Sequence, residues 1–349
     1  MEEYSVYNDI SKRTNGEFYL GVCGPVRTGK STFIKKFMEM FVLPGIRDEN
    51  DRKRAMDELP QSAEGKTIMT TEPKFIPKEA VKINLFDGND IKVRMVDCVG
   101  YIVEDAGGLM EGERERMVMT PWSEEPMPFA KAAEYGTKKV IHDHSTIGIV
   151  ITTDGSFGDI SRQSYKAAED KTISELKSIG KPFIVIVNSA NPFGEKAKDV
   201  INEIKERTGV TPVALNCMQL SREDVSRIMK KILDSFPVSQ VSFYLPKWVE
   251  MLKTSHWLKQ ELVSKVRDIL AKVSCIGDIN KENMLSDSEY IRQFDINSVD
   301  MTNGNVSISV KFDEEKYQQD YQKFYDKMEC YEDGHAAERV VEKLKEIMQ

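Results

Sequence analysis

One stretch, Gly24-Pro25-Val26-Arg27-Thr28-Gly29-Lys30-Ser31, constrains this chain more than any other part of its sequence. It fits the pattern G-x4-G-K-[ST], and both flanks have the character that pattern requires. The apolar run Phe18-Tyr19-Leu20-Gly21-Val22-Cys23 predicts a buried parallel strand entering the loop, and Thr32 to Met38 predicts a helix leaving it. A chance glycine turn would need neither flank.

Each part of the spacing has a chemical use. Gly24 and Gly29 let the backbone turn so that successive N–H groups face the β- and γ-phosphates of a nucleotide, and the helix N-terminus adds its positive end. Lys30 supplies a point charge to the phosphates, and the Ser31 hydroxyl is placed to ligate Mg2+. The expected phosphate-binding set is Gly24, Pro25, Val26, Arg27, Thr28, Gly29, Lys30, Ser31 and Thr32.

Downstream, Val81/Ile83/Leu85 and Ile91/Val93/Met95 alternate on either side of Asp87-Gly88-Asn89-Asp90, which predicts a hairpin. Its second strand runs into Asp97-Cys98-Val99-Gly100, a D-x-x-G pattern at a strand end. Asp97 would hold Mg2+, usually through water, and the Gly100 amide would approach the γ-phosphate and respond to its loss. Taken alone D-x-x-G is weak; its place after a P-loop and a hairpin gives it weight. Strands at 146–152, 182–187 and 212–215 then alternate with helices near 128–143, 160–178, 194–208 and 221–235. That order predicts an α/β P-loop NTPase with a mixed sheet, a Ras-like, translation-factor-related G-domain, and leaves a small-molecule kinase as a minor alternative.

Arg47 to Lys66 is charged and lacks apolar periodicity, as a nucleotide-sensing loop would. The glycine-rich acidic stretch 104–115 and the run 121–128 read equally as plain surface loop or as a moving contact segment. Phe236 to Lys247 reads as a linker, 249–273 as one amphipathic helix, Val306 to Phe312 as a half-buried strand and 335–348 as a last helix. The expected division is an arm over 1–16, a nucleotide domain over 17–237 and a smaller α+β domain over 238–349.

Base recognition departs from the GTPase pattern. Where N-K-x-D is expected after the fifth strand, the sequence has Asn188-Ser189-Ala190-Asn191, with no lysine and no aspartate. An amide at Asn191 cannot give guanine its charged acceptor, so ATP is expected over GTP; the alternative is that Asn188 still shapes the base pocket while specificity is broad. Tyr101 stands where a water-orienting glutamine would follow D-x-x-G. Water positioning is therefore expected from Thr70 or Thr71, one of which would coordinate Mg2+; both or only one act. Arg27 occupies the fourth P-loop position, where some relatives place a K+-binding asparagine. It reads either as a catalytic charge supplied in cis or as an ordinary surface arginine.

The balance of 57 acidic against 49 basic residues, a net charge of −8, gives no signal for nucleic acid. Five scattered cysteines without a CxxC pair read as reduced thiols of a cytosolic protein, and no apolar run reaches membrane-spanning length.

The strings YLGVCGPVRTGKSTFIKKFMEMFVLP, DELPQSAEGKTIMTTEPKFIP, VRMVDCVGY, HSTIGIVITTDGSFGDI and LPKWVEMLKTSHWL together resemble the stage IV sporulation protein A family. The resemblance is close over the nucleotide domain and looser beyond it. It implies ATP hydrolysis that drives self-assembly into a static polymer, the base layer of the spore coat. It implies a cytoplasmic protein of the mother cell, peripheral to the outer forespore membrane and recruited there by the amphipathic peptide stage V sporulation protein M, with other coat morphogenetic proteins as partners. It matches the family's P-loop lysine to Lys30, its D-x-x-G aspartate to Asp97 and its sensor threonines to Thr70 and Thr71. Family members continue into a C-terminal domain associated with polymerisation and membrane placement. Its absence reads as C-terminal truncation or a short paralogue, with polymerisation the property at stake. The rival readings are a GTPase switch and a scaffold that binds nucleotide with negligible hydrolysis.

Overall fold

The computed structural model describes residues 14, 16–46, 48–60, 73–86, 89–111, 114–280, 288–300, 303–329 and 338. Thr70 and Thr71, nearly all of the 1–16 arm and all but residue 338 of the helix expected over 335–348 lie outside the described residues. The chain divides into two compact units, Met1–Phe236 and Pro237–Gln349.

The first unit is a mixed α/β structure built on a six-stranded sheet. Its elements are β1 (Glu17–Cys23), α1 (Lys30–Phe37), α2 (Glu49–Asp57), β2 (Lys74–Phe86), β3 (Asn89–Asp97), the short β4 (Met110–Glu111), β5 (Arg114–Glu115), β6 (Met117–Thr120) and β7 (Ser123–Pro128), then α3 (Phe129–Lys139), β8 (Ile147–Thr153), α4 (Arg162–Ile179), β9 (Phe183–Asn188), α5 (Glu195–Thr208), β10 (Val213–Leu215) and α6 (Arg222–Asp234). The main sheet runs β10-β9-β8-β1-β3-β2. Its neighbours pair in parallel except β2, which pairs antiparallel with β3, with Val81 opposite Val93 and Ile83 opposite Ile91. This arrangement is compatible with a P-loop NTPase.

Strands covered on both faces must be apolar on both faces. Every residue of β8 is buried, and Leu20, Val22 and Cys23 of β1 are shielded just as fully. On one face, Phe33, Ile34 and Phe37 of α1 are buried, as is Phe18 of β1, which stacks on Phe236 at 6.1 Å between ring centroids. Each such side chain contributes about 2–3 kcal/mol of burial free energy. The other face carries Val96, Val150, Val185, Tyr165, Ile173 and Leu176. β1 thus lies near the sheet's centre, and the turn at its C-terminal end opens on the edge where α/β sheets place ligands.

A buried ionic network ties α4 to its neighbours. Glu169, fully buried, accepts from Arg162, Arg207 and the Thr152 hydroxyl, so α4, α5 and β8 share one carboxylate. Lys181, 3% exposed, donates to the carbonyls of Ile141 and His142 and, at 2.6 Å, Ser145, closing the turn that follows α3.

Local structure departs from the sequence expectations at several places. The charged stretch after Ile46 contains α2, which Asp48 starts by accepting the Asn50 amide at 2.8 Å and which buries Ala55. Residues 104–128 hold the four short strands β4 to β7, paired as two hairpins.

The second unit comprises β11 (Gln240–Tyr244), α7 (Lys247–Met251), α8 (Trp257–Leu270), β12 (Ile291–Asp300), β13 (Asn305–Phe312) and α9 (Glu314–Glu329), with strand order β11-β13-β12. The middle of the expected linker, Gln240–Tyr244, is β11, because Val241 and Phe243 gain a place beside Val306 and Ile308 in the sheet. The single amphipathic helix is broken in two. Leu252 adopts an extended backbone, and His256 Nδ1 accepts the Leu258 amide at 3.2 Å to start α8 afresh. No helix among the described residues is long and apolar enough to cross a membrane.

Candidate nucleotide site

The turn from Gly24 to Gly29 is held from three sides. At Gly29 the backbone has φ +97°, and a Cβ there would lie 2.5 Å from Asn188 Nδ2, so glycine is required by both conformation and space. Asn188, at the end of β9, donates to the Thr28 carbonyl at 3.0 Å and accepts the Cys217 amide at 3.0 Å. Its carboxamide thereby ties the loop to the turn after β10. Within the loop, Thr28 donates to the Pro25 carbonyl at 3.0 Å.

The third side is the segment after β3. Tyr101 donates its amide to Gly24 at 3.2 Å and accepts from Val26 at 2.9 Å, so the loop and the D-x-x-G exit form one backbone unit. Gly100, at φ +96°, is packed so closely that a Cβ would meet Gly24 O at 2.2 Å and Lys30 Nζ at 2.5 Å. Its N–H donates to Thr137 Oγ1 at 3.2 Å.

Lys30 is 5% exposed and donates to the Pro25 carbonyl at 2.6 Å. Burial lowers its pKa, opposed by the nearby Cys98 and Asp97. The Ser31 hydroxyl lies 3.4 Å from Asp97 Oδ2, while Asp97 Oδ1 is buried with no hydrogen-bond partner. Burial raises the Asp97 carboxyl to about 6, against the pull of Lys30. A hydroxyl and a buried carboxylate oxygen lacking a donor fit Mg2+, a hard ion that prefers oxygen ligands.

The structure therefore brings Gly24, Pro25, Val26, Thr28, Gly29, Lys30, Ser31, Asp97, Gly100 and Asn188 to one edge of the sheet. Thr32 follows in the first turn of α1. Arg27 stands exposed on the loop with φ +61°, a left-handed backbone at a non-glycine residue. Tyr101 does not offer its phenol to the site. It is 3% exposed, donates to Glu175 on α4 and lies under the Lys171 ammonium.

Two further groups shape the site with little or no sequence signal. Thr137 is a mid-helix residue with nothing to mark it. Asn216 accepts the amides of Met218 and Gln219, at 2.9 and 3.3 Å, and so builds the turn on which the Cys217 amide is presented; an asparagine directly after a strand is its only trace in sequence. Next to Asn188, Ser189 is fully buried and donates to Asp154 at 2.6 Å, so the position where a GTPase lysine would lie points inward.

Comparison with known proteins matches both units. The family model described as stage IV sporulation protein A, ATPase domain, matches residues 1–237, and that described as its middle domain matches residues 238–346. Stage IV sporulation protein A of Bacillus subtilis (strain 168) is 45% identical over 320 residues, covering 91% of this chain and 65% of the relative. The protein of that name from Clostridioides difficile (strain 630) is 46% identical over 310 residues, covering 88% and 63%. The chain thus spans somewhat under two thirds of the length of the curated relatives it matches.

Proposed function

This chain belongs to the stage IV sporulation protein A family, and from that premise we propose that its first unit is a Mg2+-dependent ATPase that converts ATP and water to ADP and phosphate. The observation that carries the reading is the convergence of Lys30, the Ser31–Asp97 pair and Gly100 on the loop after β1. The matched ATPase domain supports it.

In this reading Lys30 and the loop amides hold the phosphates, and the Gly100 amide meets the γ-phosphate only once ATP is bound. Ser31 and Asp97 would hold Mg2+, which would neutralise charge on the phosphate oxygens. Thr70 and Thr71 are assigned to Mg2+ coordination and water positioning, and Arg27 to charge stabilisation at the phosphates. The strand order, with β2 antiparallel beside β3, supports a Ras-like, translation-factor-related architecture over 17–237, followed by an α+β domain over 238–349. ATP is preferred over GTP because Asn191 offers guanine no carboxylate and Ser189 is turned inward.

Turnover is slow and acts as a conformational trigger. The tie of the Tyr101 phenol to Glu175 leaves no water-orienting side chain directly after Gly100. The wider role follows from the family: assembly of the full-length protein into the coat base layer on the forespore, in the mother-cell cytoplasm, with stage V sporulation protein M and other coat proteins as partners. The same Tyr101 geometry favours one second reading, a scaffold that binds ATP with negligible hydrolysis.

Phosphate release from ATP and GTP, measured in parallel for wild type and Lys30→Ala, tests the proposal. ATP turnover that vanishes in the variant, with GTP much slower, is the expected result. Turnover with GTP alone would refute the base assignment, and ATP binding without release would establish the scaffold.

A further inference from the structure

The Gly100 amide is bonded away from the phosphate side of the site. Its acceptor, Thr137 Oγ1 on α3, is fully buried and donates in turn to the Ala133 carbonyl at 2.7 Å. The helix does not need this hydroxyl, since its backbone bonds form without it. The other side of Gly100 lies against Lys30 Nζ and Gly24 O. One residue is therefore shared between the phosphate loop and α3.

Its neighbours are fixed. Tyr101 is held by the two backbone bonds to Gly24 and Val26 and by its phenol on Glu175, and Asp97 ends β3 in register with Val22. Between these anchors, the Val99–Gly100 peptide can turn at a residue without a Cβ. Turning it toward a γ-phosphate breaks the bond to Thr137 and replaces it with a charge-assisted one.

We propose that Thr137 is a positioning residue that holds the Gly100 amide off the γ-phosphate position until ATP displaces it, so that this bond sets the preference for ATP over ADP. The inference rests on the ATP reading of the site. ADP brings no γ-phosphate and leaves the bond in place. ATP must break it, so the bond opposes ATP binding alone.

Thr137→Val keeps the shape of the side chain and removes the acceptor. The empty and ADP-bound proteins then keep only the weak Cys98 sulfur beside that buried N–H, and ATP alone supplies a strong acceptor. Calorimetric titration of the full chain with Mg2+ and either ADP or the non-hydrolysable adenylyl imidodiphosphate reads the effect. The analogue's Kd should fall about tenfold, equivalent to about 1.4 kcal/mol, while the ADP Kd stays within about twofold. Thr137→Ser should return both values to wild type. Thr137→Ala should reproduce the valine result, which separates loss of the acceptor from packing of the new methyl.

Equal changes for both nucleotides, no change for either, or a serine variant that behaves like valine would each overturn the proposal. Wild-type protein that binds neither nucleotide, with Lys30→Ala making no difference, would overturn the ATP reading and this inference with it. Binding that Lys30→Ala abolishes, with Thr137→Val silent, would overturn this inference alone.

Discussion

Ser31 and Asp97 face each other at 3.4 Å across the end of β3, and the carboxylate oxygen that does not face Ser31 is buried without a donor. A buried carboxylate in that condition is unfavourable when ionised, which is why burial lifts its pKa to about 6. The group is arranged for an ion, and in the nucleotide-free protein it costs stability.

Asp97→Asn should therefore divide stability from activity. An unfolded aspartate releases its proton near pH 4, before the folded one does, so wild-type stability falls from this group as pH rises from about 4 to about 6. Above that window the loss is complete, up to about 3 kcal/mol. Thermal melts without nucleotide should show the asparagine variant more stable at pH 7 and level with wild type near pH 4. Mg2+-dependent phosphate release should fall by about 100-fold or more. An asparagine variant less stable than wild type at pH 7 would refute the account.

Tyr101 gives the second prediction. Its phenol donates to Glu175 beneath Lys171, on the side of the sheet covered by α4. Burial and the bond to Glu175 push the phenol pKa well above its ordinary value, so it stays protonated. Tyr101→Phe should lower the melting temperature by the equivalent of about 1 kcal/mol, the usual net worth of one hydrogen bond. The rate of phosphate release should stay within about twofold. A tenfold slower rate at unchanged stability would make the phenol part of the reaction.

What the sequence disclosed was what short spacing encodes. The loop from Gly24 to Ser31 and the Asp97–Gly100 pair are continuous strings whose backbone demands are carried by particular residue types. The hairpin of β2 and β3 was legible because Val81, Ile83, Ile91 and Val93 alternate. Contacts between distant segments left no such trace. Thr137 reads as an ordinary helical threonine until α3 is laid beside Gly100, and no local pattern pairs Glu175 with Tyr101, 74 residues away. In the second unit, β11 was hidden because Pro237 and Pro246 flank a run of only five strand residues, which local pattern reads as linker. The break between α7 and α8 was hidden because Met251, Leu252 and Leu258 keep helical spacing across a chain that leaves the helix at Leu252.

Arg27 supplies the last prediction, because it combines strain with charge. Its φ of +61° places an L side chain in the left-handed region, at a cost of roughly 1–2 kcal/mol. Strain at a binding loop persists where the side chain is needed. The guanidinium acts on the Tyr165 phenol of α4, whose pKa burial raises and Arg27 opposes, so the charge lies toward the start of that helix. Arg27→Gly relieves the backbone and removes the charge; Arg27→Ala removes the charge and keeps the strain. The glycine variant should melt a few degrees above the alanine variant. Both should release phosphate more slowly than wild type in the absence of K+, by an order of magnitude or more if the charge reaches the phosphates. Wild-type rates in both variants without K+ would show that the arginine serves the loop's surface and not its chemistry, whatever the melting temperatures do.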